Sequence, residues 1–562
     1  MGLLTGFLDI LVAVIPMLGV LIFVHELGHF LVAKLCGVRV LKFSLGFGSP
    51  IGFGNFRARW ERNGTEYVIA WFPLGGFVKM LGENLYVQGE DSPDEVRDAA
   101  PDEYLSAKPT WQKLSIVFAG PAMNLLLPVV AFIGVLMVGI PRPAAVVGTV
   151  EIESPAFRAG LRPGDTLLSV DGEPVEYWSD VEEPVRARTS GELVVRLRRD
   201  DREMEVVIPT HARSGLDEFG IVKEVGWIGI ENHRLPALVG VVNVRSTAAR
   251  VGLRSGDRIL RLDGAEVEDW EALRRLYAAA GPAAVTVAVR RNPDEEPIEL
   301  QLPALRDLDA LGVVPATILV QNVSEGLPAA RAGLRAGDLI VAVDGRPAGS
   351  FMSFRETVHS SQGRALRITY AREGETTTVP VQPEERLAPG PLGIEERNYL
   401  IGITHAPVMI LGAQRIERQR NPILALPRAV AMTVDMATQF MRGLGKLITG
   451  EVSRDKLAGP IGIAEIARRS LDLGWIAYLY TMILISINLA ILNLLPIPIL
   501  DGGQALIFAI EGVKRAPISL RTREIVQQIG VTMILMLMGL AFWNDISRNW
   551  SKFVEWLRDT GL

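Results

Sequence analysis

Residues 10–33 read ILVAVIPMLGVLIFVHELGHFLVA, and this stretch decides the fold. Only His25, Glu26 and His29 within it carry side chains that can be charged. A helix of about 20 predominantly apolar residues crosses a bilayer, so the stretch is long enough to span a membrane. It lacks the basic start and small-residue cleavage site of a removable signal peptide. We therefore predict a first transmembrane helix over residues 1–36.

The composition of the 562 residues indicates a membrane protein with a large soluble part. Hydrophobic residues make up 49% of the chain, yet charged residues still make up 22%. Three further segments contain uncharged stretches long enough to cross a bilayer. The predicted spans are residues 113–141, 473–503 and 525–543. The predicted fold class is a multi-pass α-helical membrane protein with four transmembrane helices.

Lysine and arginine in the short loops predict the orientation in the membrane. The connection 34–113 and the loop 505–524 are rich in both residues. Short loops of this composition stay in the cytoplasm, whereas long domains are translocated largely regardless of charge. The long stretch 141–472 and both termini would then lie on the opposite side.

Net charge and cysteine content exclude several classes of protein. The net charge is -6, with 58 basic and 64 acidic residues, so no overall basic character points to nucleic acid as a partner. Cys36 is the only cysteine. The chain therefore cannot form an internal disulfide or a metal site made of thiolates.

One heptapeptide pattern occurs three times in the long soluble stretch. The copies are AGLRPGD at 159–165, VGLRSGD at 251–257 and AGLRAGD at 332–338. Each is followed by a short apolar run and an Asp-Gly pair, which predicts a strand and a tight turn. The copies lie a domain length apart, so we predict tandem domains rather than a solenoid.

The repeated pattern resembles the bacterial type of PDZ domain, an α+β fold. The predicted PDZ-like domains cover residues 142–212, 225–305 and 312–385. Domains of this type bind peptide chain ends by adding a strand to the edge of a sheet. The alternative for any single copy is a structural spacer without an open groove.

Residues 37–112 are predicted to form a cytoplasmic loop with a membrane-associated β-hairpin. Residues 38–47 and 65–72 have strand-like composition, and the second is followed by PLGGFV at 73–78. A strand edge at Gly75, Gly76 and Phe77 could pair with an unwound substrate. The alternative is a plain hairpin with no contact to substrate.

Residues 420–450 are predicted to form an amphipathic helix. Arg428, Asp435 and Arg442 recur every seven residues, with apolar residues between them. Such a helix could lie in the membrane interface. It could equally pack on the soluble domain.

His25 to His29 form an HExxH motif. Residues four apart on a helix share a face, so both imidazoles can reach one metal ion, and Glu26 can accept a proton from the attacking water. Each ionisable group at bilayer depth costs about 2.5–3.5 kcal/mol, and a bound cation would compensate for this cost. The alternative is a polar patch that faces another helix.

Asp501 is the expected third metal ligand. Catalytic zinc takes three protein ligands, and the four other histidines lie in the soluble stretch. Asp501 directly follows the uncharged run 473–500, between two prolines and two glycines. Irregular backbone at membrane depth is tolerated where it lines a cavity. The alternative is a simple helix end with Asp501 in water.

Two asparagines are candidates for binding substrate. Asn124 lies inside the second predicted span, and Asn493 lies eight residues before Asp501. An amide in a membrane needs hydrogen-bond partners. Each could bind a substrate carbonyl or the developing oxyanion, and each could instead tie two helices together.

Four motifs, together with the repeats, make the chain resemble the bacterial site-2 protease family. They are HELGH at 25–29, LGGFVKMLGE at 74–83, AGPAMN at 119–124 and NLLPIPILDGG at 493–503. The resemblance implies an intramembrane metalloprotease with one zinc ion on His25, His29 and Asp501. Glu26 would be the base, and Asn493 would lie near the substrate.

The resemblance also implies regulated intramembrane proteolysis in the bacterial inner membrane. The substrate would be a single-span protein such as an anti-sigma factor, already trimmed outside. The PDZ-like domains and both termini would be periplasmic, with the active site towards the cytoplasm. Two departures stand out: relatives carry two PDZ domains, not three, and Gln504 stands where the family usually has histidine.

Other classes of protein remain as alternatives at this point. One is a membrane scaffold or receptor that presents PDZ-like domains without catalysis. Another is a membrane di-iron enzyme, which would need more histidines near the spans than two. A third is a zinc protease whose third ligand lies outside the spans.

Overall fold

The described part of the computed structural model covers most of the chain. It comprises residues 2–53, 56–82, 99–217, 221–281, 283–292, 295–305, 307–389, 395–405, 410–451, 459–516 and 518–559. Two compact units divide it. The membrane unit comprises Met1–Ile140, Pro389–Glu395 and Arg418–Leu562, and the repeat unit comprises Pro141–Ala388 and Glu396–Glu417.

The described helices are numbered in chain order. They are α1 Gly2–Leu35, α2 Thr110–Val138, α3 Pro155–Arg158, α4 Trp178–Ala187, α5 Thr247–Arg250, α6 Trp270–Ala279, α7 Leu308–Leu311, α8 Pro328–Arg331, α9 Phe351–Ser360, α10 Pro422–Thr449, α11 Pro460–Asp472, α12 Trp475–Leu494, α13 Asp501–Lys514 and α14 Leu520–Asp559. Two 3-10 turns, Pro101–Glu103 and Leu105–Ala107, precede α2.

The described strands follow the same rule. They are β1 Val40–Pro50, β2 Gly52–Phe53, β3 Phe56–Arg57, β4 Arg59–Arg62, β5 Thr65–Met80, β6 Ile140–Pro143, β7 Thr149–Val150, β8 Thr166–Val170, β9 Glu173–Pro174, β10 Gly191–Arg199, β11 Arg202–Leu216, β12 Val222–Trp227, β13 Ile230–Glu231, β14 Val239–Val241, β15 Arg258–Leu262, β16 Ala265–Glu266, β17 Val285–Arg290, β18 Ile298–Leu302, β19 Val313–Pro315, β20 Val320–Val323, β21 Leu339–Val343, β22 Arg346–Pro347, β23 Leu366–Arg372, β24 Glu375–Val381, β25 Glu384–Pro389, β26 Glu395–Leu400, β27 Ile403–His405 and β28 Gln414–Glu417.

Four helices of the described chain are long and apolar enough to cross a membrane. Their apolar segments are Val12–Leu35 of α1, Thr110–Val138 of α2, Trp475–Leu494 of α12 and Arg521–Ser547 of α14. Each reaches the length of about 20 residues needed to cross a hydrocarbon core of about 30 Å. The prediction of four spanning helices is therefore confirmed by length and composition.

A break separates the third span from Asp501. The helix α12 ends at Leu494, and Asp501 is the first residue of α13. Pro496 and Pro498 lie in this break, where a proline cannot donate a backbone hydrogen bond and disfavours helix in the residue before it. The segment 473–503, predicted as one span, therefore contains two helices.

Two glycines let the chain fold back tightly after the break. A Cβ on Gly502 would stand 2.3 Å from the carbonyl oxygen of Leu494, and one on Gly503 would stand 2.2 Å from that of Ile497. No side chain fits at such distances, so the start of α13 can lie against the end of α12 only with glycine there. This close approach sets the position of Asp501.

The strands of the membrane unit form a sheet around β1. The two halves of the long strand β5 flank β1: Leu45 pairs with Ile69 on one side and with Gly76 on the other. The strand β4 extends the sheet beside the first half of β5. Buried Phe43 and Val78 pack in one cluster with Ala33 of α1, which places the sheet against the first span.

The helix α10 packs on two of the spans. Ala425 and Ala429 are fully buried in a cluster with Phe132 of α2 and Ile483 and Ile487 of α12. The structure therefore places this amphipathic helix against two of the spans. Its position in the membrane interface stays a prediction.

The repeat unit contains three modules, each with its own hydrophobic core. Module 1 comprises residues 145–231, module 2 residues 237–315 and module 3 residues 318–405. Each core packs one ten-residue helix, α4, α6 or α9, against the strands of its own module.

The last residue of each heptapeptide is a buried aspartate. These residues are Asp165, Asp257 and Asp338. In each module the carboxylate accepts the backbone N–H of the arginine three residues earlier and pairs with an arginine 34 residues later. The repeated motif therefore joins the turn before one strand to the end of another, since a buried carboxylate needs such partners.

The repeated Asp-Gly pairs form tight turns. Asp171, Asp263 and Asp344 have positive φ angles of 51°, 46° and 51°, and the following glycines are also left-handed. Two successive residues with positive φ are the signature of a type I′ turn. The predicted strand and turn after each heptapeptide are therefore present in all three modules.

A third repeated element closes each module. It consists of a left-handed glycine, Gly229, Gly312 or Gly402, followed by a short strand. The strand pairs with the first strand of the same module, as β13 with β7, β19 with β14 and β27 with β20. The modules therefore extend beyond the predicted ends at residues 212, 305 and 385, because this pairing closes the sheet late in the chain.

Candidate metal centre

His25 and His29 lie one turn apart on α1 and face the same space. Their Nε2 atoms are 3.3 Å apart, and the two rings are nearly perpendicular, with an interplanar angle of 83°. Each residue is 9% exposed. Two buried imidazoles so close together need either a shared proton or a shared cation, because each nitrogen lone pair otherwise lacks a partner.

Asp501 reaches the same space from the start of α13. Its Oδ2 lies 3.2 Å from His25 Nε2, and its Oδ1 lies 3.6 Å from His29 Nε2. One ligand atom from each of the three residues lies within 4.8 Å of the others. Asp501 Oδ2 is buried and has no hydrogen bond of good geometry among the described residues.

The arrangement fits a metal ion with nitrogen and oxygen ligands. His29 Nδ1 lies 2.8 Å from the carbonyl oxygen of Ile116, so it donates its proton there. The Nε2 of His29 then keeps its lone pair for a metal. Two imidazoles and one carboxylate are also a donor set typical of catalytic zinc sites with one open position.

Glycines bring α1 and α2 together at this site. A Cβ on Gly28 would stand 2.3 Å from the carbonyl oxygen of Ala119. One on Gly120 would stand 2.3 Å from His29 Nε2. The imidazoles therefore occupy the space beside Gly120 that a side chain there would fill.

The side chain of Glu26, on the first span, lies against the sheet. A Cβ on Gly76 would stand 2.9 Å from Glu26 Cγ and 2.8 Å from a methyl group of Ile22. The structure thus brings Gly76 next to the motif on α1. Gly76 belongs to the second half of β5, which ends at Met80 and which we call the outer half. Gly75 and Phe77 lie beside it against Phe47, whose ring stacks on that of Phe77 at 6.2 Å.

Both predicted asparagines contact His25. Asn493 Nδ2 lies 3.5 Å from His25 Nε2, on the side of the ring that faces Asp501. Asn124 Nδ2 lies 3.3 Å from His25 Nδ1, and Asn124 is fully buried. The substrate role predicted for each stays a prediction.

Two participants were not predicted from the sequence. They are the carbonyl group of Ile116 and Gly120. Ser486 lies outside the site, and its hydroxyl donates to the backbone carbonyl oxygen of Asn124 at 2.7 Å. Gly120 and Asn124 belong to the motif AGPAMN, four residues apart on one helix face. That spacing was the available signal, whereas a backbone carbonyl carries none.

These features define a class of protein. An HExxH motif on an apolar helix long enough to cross a bilayer, with a carboxylate beside it at the break that follows another such helix, is the arrangement of a membrane metalloprotease.

Comparison with known proteins identifies the family. The model of Peptidase family M50 matches residues 13–537. The regulator of sigma-E protease RseP of Escherichia coli (strain K12) is 32% identical over 552 residues, which is 97% of this chain and 99% of that protein. Protease RseP of Yersinia pestis is 32% identical, covering 96% and 98% of the two chains.

A third relative carries zinc in its name. This protein of Neisseria meningitidis, named as a zinc metalloprotease, is 30% identical, covering 94% of this chain and 97% of its own. The chain belongs to Peptidase family M50, and it is a membrane metallopeptidase. The predicted membership of the site-2 protease family and the predicted peptidase activity are confirmed.

Proposed function

We propose that this M50 peptidase holds one zinc ion on His25, His29 and Asp501 and cuts within the spans of single-span membrane proteins. The observation that carries the proposal is the convergence of the three ligand atoms within 4.8 Å. His25 and His29 lie on the first candidate span, and Asp501 begins α13 directly after the break that follows the third candidate span. A substrate bond would therefore have to reach them inside the membrane.

The chain's own residues would perform most of the chemistry. Zinc, when bound, polarises the scissile carbonyl group and makes water a stronger acid. Glu26 would take the proton of the attacking water on its carboxylate and pass it to the nitrogen of the leaving amine. The amide of Asn493, 3.5 Å from His25 Nε2, would donate to the oxygen on which negative charge develops.

The outer half of β5 would hold the substrate in extended form. A helical span hides its peptide bonds in its own hydrogen bonds, so it has to unwind before attack. The segment from Gly76 to Met80 forms one side of the sheet, because β1 lies between it and the other half of β5. Since Gly76 lies next to Glu26, a strand added at Gly75, Gly76 and Phe77 would pass close to the base.

The same proposal extends to location and substrates. The membrane unit would lie in the bacterial inner membrane, and the basic loops 34–113 and 505–524 favour an active site towards the cytoplasm. The three modules would be PDZ-like, periplasmic, and able to bind chain ends or exclude untrimmed substrates. An anti-sigma factor is the expected type of substrate, by analogy with the relatives named for sigma-E regulation.

The test is cleavage of a panel of trimmed single-span proteins by the purified full-length protein. Wild type should cleave at least one of them, a metal chelator should stop cleavage, and zinc should restore it. The variant Glu26→Gln should bind zinc like wild type but cleave at least about 1000-fold more slowly. Cleavage by Glu26→Gln at the wild-type rate would contradict the mechanism, and a scaffold function would be favoured if wild type cleaved nothing.

A further inference from the structure

The Nδ1 atoms of His25 and His29, which point away from Asp501, both face the helix α2. His29 Nδ1 lies against the carbonyl oxygen of Ile116, and His25 Nδ1 lies against the side chain of Asn124. Ile116 and Asn124 are eight residues apart on α2, about two turns, so they lie on one face of it. Gly120 lies between them and leaves room for both rings. The helix α2 therefore contacts both imidazoles on their Nδ1 side.

Both imidazoles need a hydrogen-bond acceptor for the proton on Nδ1. A neutral imidazole carries one proton, so an Nε2 that binds metal requires the proton on Nδ1. A buried N–H needs an acceptor, which the carbonyl oxygen of Ile116 supplies for His29. For His25 the neighbour is Asn124, which is fully buried and thus cannot be replaced by bulk water.

The amide of Asn124 can supply that acceptor. In the structure its Nδ2 faces His25 Nδ1, while its Oδ1 is buried without a hydrogen-bond partner among the described residues. The two ends of an amide have nearly the same shape, so half a turn about its last bond exchanges them. The oxygen then lies where it accepts the Nδ1–H of His25.

We propose that Asn124 is a positioning residue for the metal centre: its amide oxygen accepts the Nδ1–H of His25 and directs the Nε2 lone pair towards Asp501 and His29. In the other orientation, Nδ2 donates to Nδ1, and the proton lies on His25 Nε2, which faces Asp501 Oδ2 at 3.2 Å. An amide serves both states, because it is donor at one end and acceptor at the other. The inference rests on the proposed metal-binding role of His25.

The experiment measures zinc affinity of the detergent-solubilised full-length protein by competition with a chromophoric chelator. Asn124→Leu removes the acceptor at similar size, and we expect zinc to bind about 10–100-fold more weakly. Asn124→Asp keeps an acceptor but no donor, so its affinity should equal or exceed that of wild type. A purely structural amide predicts the reverse: both variants would lose stability and neither would change zinc affinity selectively.

Ser486→Ala is the matched control. It removes the hydrogen bond from Ser486 to the backbone of Asn124, a tie between α12 and α2, without touching His25. Its zinc affinity should stay at the wild-type value, and zinc-free thermal unfolding of all variants separates folding defects from metal loss. If Asn124→Leu does not fold, Asn124→Asp decides alone, because a tenfold loss of affinity there would overturn the inference.

Two further results distinguish failure of the proposed role of Asn124 from failure of the proposed metal site. If wild type binds zinc, His25→Ala loses it and Asn124→Leu binds like wild type, only the role of Asn124 is wrong. If His25→Ala binds zinc as tightly as wild type, the metal site itself is misassigned, and the proposed function fails with it.

Discussion

Two clusters of buried and half-buried polar side chains can be compared, one in each unit. The metal centre of the membrane unit brings His25, His29 and Asp501 together with their lone pairs facing one space. The cluster in the repeat unit lies where the start of α9 of module 3 meets module 1, and we call it the docking cluster. Its members are Glu151, Arg213, Glu231, Ser350 and Ser353.

The docking cluster satisfies its own members. Ser350 Oγ donates to Glu231 at 2.5 Å, and Arg213 donates to Ser353 Oγ at 2.5 Å and to Thr357 Oγ1 at 3.1 Å. Glu151 bonds to Ser353 and lies near the cationic Arg213. The carboxylates also face the N-terminus of α9, where the helix dipole favours negative charge.

The metal centre is organised in the opposite way. Its imidazole and carboxylate groups point at one another, and Asp501 Oδ2 has no well-formed hydrogen bond among the described residues. A buried polar cluster that satisfies itself holds two parts of a protein together. One that leaves lone pairs converging on a common point is suited to bind something absent from the chain. Burial alone does not distinguish the two.

The largest effect should come from the carboxylate of the metal centre. Asp501→Ala removes one of the three proposed ligands, so we expect zinc affinity to fall more than about 100-fold and cleavage to fall below detection. Zinc content after dialysis and the cleavage assay measure both. Asp472→Ala, at an exposed carboxylate on the last residue of α11, is the control and should bind zinc like wild type. If Asp501→Ala binds zinc like wild type, Asp501 is not a metal ligand. The proposed difference between a metal-binding cluster and a self-satisfied cluster would then be wrong.

A smaller effect is expected from filling the space beside the imidazoles. In Gly120→Ala the new Cβ would stand 2.3 Å from His29 Nε2, so the ring has to move, and we expect zinc affinity to fall about 10–100-fold. Gly134→Ala lies on the same helix, where a Cβ meets no described atom within 4 Å. It should leave zinc affinity unchanged and slightly stabilise α2. Equal effects of both changes would mean that helix propensity, and not ring position, matters.

The sequence predicted those parts of the site that depend on short-range geometry or on elimination. His25 and His29 are one helical turn apart, so helix periodicity alone places them together. Asp501 was predicted because the chain offers few other ligands near the spans. The structure brings the side chains of all three residues into one place.

The rest depends on contacts between elements far apart in the chain. Which carbonyl of α2 meets His29 is set by how α1 and α2 cross, and the sequence does not encode the crossing locally. Similarly, Gly229 precedes a strand whose partner, β7, lies about 80 residues earlier, so the module ends could not be read from the heptapeptides. The docking cluster joins modules 1 and 3, and no motif marks it.

The docking cluster should respond to pH in a way that sharpens the comparison. Burial raises the pKa of Glu151 from 4.5 to about 7, and the neighbouring carboxylates of Glu231 and Glu356 add to the rise, against the opposing effect of Arg213 and the hydrogen bond from Ser353. The docked state therefore binds a proton more tightly than the undocked state. Its added stability is fully present below pH 4.5 and is lost as pH rises to 7.

Hydrogen exchange of the full-length protein can follow this docking. Protection of residues 350–360, corrected for the intrinsic rate, should decrease between pH 5 and pH 7, corresponding to at most ~3 kcal/mol of docking free energy. In Glu151→Gln, which cannot ionise, protection should be high and nearly independent of pH over that range. Protection that falls equally in wild type and Glu151→Gln would assign the pH response elsewhere. A buried carboxylic acid that keeps its proton acts as a hydrogen-bonding group, whereas a carboxylate that binds a metal must stay ionised. The variant Glu151→Gln tests the first of these two roles in the repeat unit.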